Sequence, residues 1–134
     1  MTEEINKIKE ILRQKQVAVF AYIFGSRVRG IANKRSDCDI AVYFCKDPRK
    51  LPGWTVFQLE AEITKDIGLE TQITILNGLD APVFAFQIIS EGIILIDKNP
   101  KKRILYEASV LRQYHDWHYF LRRHMITYSP HSAL

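Results

Sequence analysis

At 134 residues, 47% hydrophobic and 25% charged, the chain suits one soluble globular domain and excludes a disordered or fibrous protein. No apolar run approaches the length of a membrane span, and the charged opening MTEEINKIKE lacks the apolar core of a signal peptide, so the cytoplasm is the expected location. A net charge of +4 fits an anionic ligand, an acidic partner or plain solubility, and is too mild to predict direct nucleic-acid binding.

In chain order, Thr2 caps a helix to about Lys15 with Ile5, Ile8, Ile11 and Leu12 as its apolar stripe. Val17 to Phe24 is short, aromatic and β-branched, the pattern of a buried strand. A turn at Gly25-Ser26 leads through a short helical segment to a second strand, Asp39 to Phe44, and then to the loop KDPRKLPG. Thr55 to Ile67 is helical with Gly68 in the C-cap position, and Thr71 to Leu76 is a third strand. Asp80 is expected to open a helix carrying Phe84, Ile88 and Ile89 that stops at Gly92, before a fourth strand, Ile93 to Ile96. Asn99 and Pro100 start the last helix, expected over 100–128. Repeats and interdomain linkers are absent, so 1–134 reads as one α/β unit. Cys38 and Cys45, seven positions apart, would face opposite sides of one strand, and both are expected to be reduced and buried.

The stretch FGSRVRGIANKRSDCDIAV carries the chemistry. Gly25 and Ser26, ending a strand and entering a helical turn, offer backbone N–H groups and a hydroxyl where an anion is favoured. Ten residues later, Asp37 and Asp39 lie two apart at a strand start, which puts both carboxylates on one face and Cys38 on the other. Two like charges held together call for a cation, and hard oxygen donors suit Mg²⁺ with a substrate phosphate. Taken separately, Gly-Ser is a common turn and Asp-x-Asp a common solvated edge; in this order and spacing they fit one ligand, a metal-bound nucleoside triphosphate.

This pattern resembles the signature of the DNA polymerase β-like nucleotidyltransferases. It is most similar to the minimal nucleotidyltransferases, or MNT domains, that are the antitoxins of HEPN/MNT toxin-antitoxin pairs. The likeness runs from about Ile11 to Asp97 and includes LNGLDAPVFAFQIISEGIILID. It implies a polymerase β palm-like nucleotidyltransferase fold, a small mixed sheet flanked by helices. It also implies ATP held at Gly25, Ser26 and Arg27, and Mg²⁺ held by Asp37 and Asp39. The implied reaction is transfer of AMP to a tyrosine of a HEPN ribonuclease toxin. Arg29 is a weaker candidate for the phosphates than Arg27.

The family usually places a third carboxylate on the next strand, where it assists metal binding or accepts the hydroxyl proton; this chain has Gln72 at that position. Glu70, two residues earlier on the same strand face, would replace it as catalytic base if the strand slid or the alignment shifted; otherwise it is a surface charge. Gln72 supports one alternative, a degenerate antitoxin that neutralises by binding alone; a second, transfer to a small-molecule or RNA hydroxyl, is disfavoured by a chain too short to build a dedicated acceptor site. The last helix carries Tyr114, Trp117, Tyr119, Phe120 and Leu121 among Arg112, Arg122 and Arg123, more aromatic surface than its own domain can bury. Tyr114 and Trp117 are the expected partner contacts, and a homo-oligomer would use the same features. His115 and His118 share a helix face but lack a third ligand for a metal.

Overall fold

The computed structural model describes residues 2–26, 28 and 37–128, with side chains described to residue 124. Helix α1 (Thr2–Gln14) turns Ile8 and Leu12 inward, with Glu3 and Glu4 in its first turn and Arg13 in its last, matching the helix dipole. Strand β1 (Ala18–Phe24) is buried at every position except Val19, as expected of a central strand covered on both faces. Strand β2 is Cys38–Phe44, and a single 3-10 turn, Pro48–Lys50, leads to α2 (Thr55–Ile67). Gly68 ends α2 in a left-handed conformation (φ 74°), its N–H donating to the Thr64 carbonyl.

Strand β3 (Thr71–Ile75) follows, then α3 (Pro82–Glu91), β4 (Ile93–Asp97) and α4 (Pro100–Tyr128). The sheet order is β3-β2-β1-β4. β1 pairs antiparallel with both neighbours, whereas β2 and β3 are parallel, a connection that needs a crossover and obtains it from α2. The result is the small mixed sheet flanked by helices.

The sheet separates two cores. On one face, Ile8 and Leu12 of α1 and Leu59 and Ile63 of α2 cover Ala21, Ile23, Cys38, Ile40, Val42 and Phe44. On the other, Phe20, Tyr22, Phe24 and Ala41 pack with Leu76 and Ile88, and with Tyr106 of α4. The start of α4 is fixed to the sheet by Arg103, which bridges Asp97 (2.7 Å) and Glu107 (3.1 Å), while the Tyr22 hydroxyl donates to Glu107. Burial and the adjoining Glu107 carboxylate push the Tyr22 phenol up, so it remains a donor.

Two expectations are corrected. Helix α3 opens at Pro82 rather than Asp80, because proline's fixed φ is pre-set for the first turn and Ala81 caps it without a side-chain bond. Cys38 is buried as expected, but Cys45 is exposed. The Asn77 side chain accepts from the Phe44 N–H and donates to its carbonyl, both at 2.8 Å, closing the end of β2 and leaving Cys45 beyond it. Asn99, by contrast, caps α4 as its sequence indicates, its Oδ1 accepting from the Lys102 N–H at 3.1 Å. Among the described residues no helix is long and apolar enough to cross a membrane.

Candidate active site at the start of strand β2

Antiparallel pairing sets Phe24, the last residue of β1, opposite Asp39. The chain then turns at Gly25 with φ 88°, a conformation that glycine adopts without steric cost. A Cβ placed on Gly25 would lie 2.6 Å from Asp39 Oδ2, so the turn rests directly against the carboxylate. Ser26 follows, and the Val28 N–H donates to the Gly25 carbonyl at 3.1 Å, starting a turn at the strand end. Arg27 and Arg29 lie outside the described residues.

Asp37 stands just before β2 and Asp39 within it, both half-exposed, while Cys38 between them is buried under α1 and α2. Burial raises the Asp39 carboxyl above the usual carboxylate range, and the charge of Asp37 adds to the shift. Both causes disfavour a second negative charge at this spot, and a bound cation relieves both. The donors are hard oxygens beside a glycine turn that lets a phosphate come close, so the residues fit a Mg²⁺-nucleotide.

In the β2–β3 ladder Asp39 pairs with Gln72. Glu70 precedes β3, its side chain exposed and its carbonyl accepting from the Cys38 N–H at 2.8 Å. The slid register that would bring Glu70 beside Asp39 is therefore not adopted. Among the described residues no three His, Cys, Asp or Glu side chains gather to hold a metal. His118 instead pairs with the Tyr114 hydroxyl (2.7 Å), and the His115 ring meets the Tyr114 ring edge-on.

One wall of the site passes beyond these residues. Phe24 meets Phe84 of α3 edge to face, with ring centroids 5.7 Å apart. Phe84 also lines an apolar groove of ≈ 400 Å³ with Ala81, Pro82, Val83, Gln87 and Trp117. Sequence reading missed Phe84 as a site neighbour, although the run VFAF, apolar around most of the helix, signals a second face to cover. Tyr114 and Trp117, expected together at an interface, play different parts. Tyr114 is half-buried and stacks on Phe86 at 3.8 Å, joining α4 to α3, whereas Trp117 (39% exposed) and Phe120 (50% exposed) face outward. A larger cleft of ≈ 850 Å³ at the far end of β2, lined by Tyr43, Lys46, Arg49 and Lys102, contains neither the glycine turn nor the aspartate pair.

The fold is shared with solved structures. A chain of a toxin-antitoxin complex with AMP-PNP matches with a TM-score of 0.73 and 21% identity, over 89% of this chain and 93% of that one. The MntA-HepT toxin-antitoxin matches at 0.69 and 18% identity, over 92% and 94%. The complex of a tri-AMPylated Shewanella oneidensis HEPN toxin with its MNT antitoxin matches at 0.69 and 19% identity, over 91% and 92%. No curated protein sequence matches significantly. The family profile described as "Polymerase beta, Nucleotidyltransferase" matches residues 6–101, from α1 to the first turn of α4. With its glycine turn set against an aspartate of the paired strand, the chain belongs to the polymerase beta nucleotidyltransferase family.

Proposed function

We propose that this protein is an antitoxin that transfers AMP from ATP to a tyrosine of a HEPN ribonuclease toxin. The observation that carries the reading is the contact of the Gly25 turn with the Asp39 carboxylate, which joins a phosphate seat to a metal-binding pair. Asp37 and Asp39 hold Mg²⁺, and Gly25 and Ser26 hold the triphosphate, with Arg27 as an added cation. When bound, the ion neutralises phosphate charge, the main requirement of nucleotidyl transfer. The protein aligns the α-phosphate with the incoming hydroxyl. An acceptor O–P bond forms, the bond from the α-phosphate to the bridging oxygen breaks, pyrophosphate leaves and the hydroxyl proton is released. The toxin as partner is supported by the kinship in fold with MNT-HEPN complexes and by the outward-facing Trp117 and Phe120 on α4.

Glu70 is exposed and outside the ladder, away from the position paired with Asp39. Glu70→Gln is therefore expected to slow transfer by less than about tenfold, against the ~10²–10⁴ of a direct general base. A loss in that higher range would place the base at Glu70. Gln72 favours one second reading, neutralisation by binding alone. The test incubates the protein with ATP, Mg²⁺ and a cognate HEPN ribonuclease and follows intact mass and ribonuclease activity. The expected result is a gain of AMP on the toxin with loss of its activity. The Asp37→Asn, Asp39→Asn double variant should lose the transfer. Neutralisation with no mass gain, equally strong in the double variant, would establish the binding-only reading.

A further inference from the structure

The residue opposite Asp39 in the β2–β3 ladder is Gln72. Paired residues of neighbouring strands project to the same face, so Gln72 shares the Asp39 face, and its side chain is exposed. A carboxylate here would be a direct general base. An amide accepts a hydrogen bond but takes no proton at neutral pH. With Glu70 exposed before β3, an acceptor at Asp39 meets no third carboxylate among the described residues.

Acceptors differ greatly in how much they need such a base. A phenol ionises near pKa 10, so about one in a thousand is already anionic at neutral pH. An aliphatic hydroxyl resembles water, with a pKa of roughly 16. We propose that Gln72 is a specificity-determining residue that restricts this site to acidic hydroxyls. The site then places a single AMP on a phenol and does not extend it, because every hydroxyl on the attached AMP is an aliphatic ribose hydroxyl. This rests on the nucleotidyl-transfer reading above. In the step the phenolic oxygen bonds to the α-phosphorus, pyrophosphate departs with the electron pair of the broken P–O bond, and the phenolic proton passes to solvent.

The test compares wild type with Gln72→Asp at saturating ATP and Mg²⁺, using the cognate HEPN toxin and a toxin with serine in place of the modified tyrosine. Intact mass counts AMP units over time, and calorimetry follows binding of AMP-PNP with Mg²⁺. Wild type is expected to stop at one AMP on the tyrosine, with a rate rising about tenfold per pH unit below the phenol pKa. Serine should react at least ~10³-fold more slowly. Gln72→Asp should flatten the pH profile and speed serine modification or chain extension at least ~10-fold, while AMP-PNP affinity changes less than about fivefold. Serial addition of two or more units by wild type, or comparable rates on serine and tyrosine, would overturn the proposal and leave nucleotidyl transfer standing. A Gln72→Asp effect on AMP-PNP affinity alone would make Gln72 a binding residue and overturn it too. No transfer to either acceptor while AMP-PNP still binds would overturn the transfer reading itself, and the selectivity with it.

Discussion

Gly25 and Asp39 constrain each other, and substitutions at this contact separate geometry from charge. Gly25→Ala combines a positive φ with a Cβ 2.6 Å from the carboxylate, so it should destabilise the protein by about 1–3 kcal/mol and weaken AMP-PNP binding at least tenfold. Ser26→Ala keeps the backbone donors and should cost no more than ~1 kcal/mol of binding; calorimetry measures both. Asp39 has a folded-state pKa raised above its ordinary value. Its contribution to stability is thus present below the ordinary carboxylate range and is lost as pH rises through the raised value. Asp39→Asn should therefore raise the melting temperature of the nucleotide-free protein at neutral pH, most visibly against wild type in a pH series. The same raised pKa makes protons compete with the cation. Binding of Mg²⁺ and AMP-PNP should weaken on acidification before ordinary carboxylates titrate.

At the scale of elements, Gly92 lets the end of α3 come close to β1. A Cβ on Gly92 would lie 2.4 Å from the Ile88 carbonyl oxygen and 3.3 Å from the Tyr22 Cβ. Gly92→Ala should cost about 1–3 kcal/mol, read as a lowered denaturation midpoint with an unchanged slope. The elements that sequence made legible are those with local signals: the stripe of α1, the Gly68 cap and the Asn99-Pro100 start of α4. Asp80 misled because two start signals lay two residues apart, and the proline set the boundary. Cys45 misled because the strand end depends on Asn77, far away in sequence. The site divides in the same way. Spacing put Asp37 and Asp39 together, and alternation put Glu70 and Gln72 on one face. Only the parallel ladder between strands separated by α2 decides that Gln72 is the one beside Asp39. The groove at Phe84 is likewise a product of two helices meeting, which no single segment encodes.

For the whole molecule, α4 is both a structural support and a candidate contact surface. Trp117→Ala should weaken toxin docking by about 2 kcal/mol or more with little change in melting temperature, whereas Tyr114→Ala, by removing the stack on Phe86, should lower the melting temperature as well. Parallel titration and thermal melts distinguish the two roles. At 29 residues the helix is roughly 43 Å long. Its described ties to other elements run from Lys102, whose ammonium lies over the Tyr43 ring, to Tyr114, stacked on Phe86. Beyond them, Arg123 bonds to the Tyr119 hydroxyl and His124 to the Phe120 carbonyl, all within the helix. Helical turns supported only by themselves are marginal in water, so the amides after Trp117 should exchange with deuterium fastest in the free helix and gain protection when the toxin binds. Part of the docking free energy then goes into holding those turns helical. Affinity will therefore follow helix propensity even where no partner atom is touched: Arg122→Gly should bind about 1 kcal/mol more weakly than Arg122→Ala, though both discard the same charge.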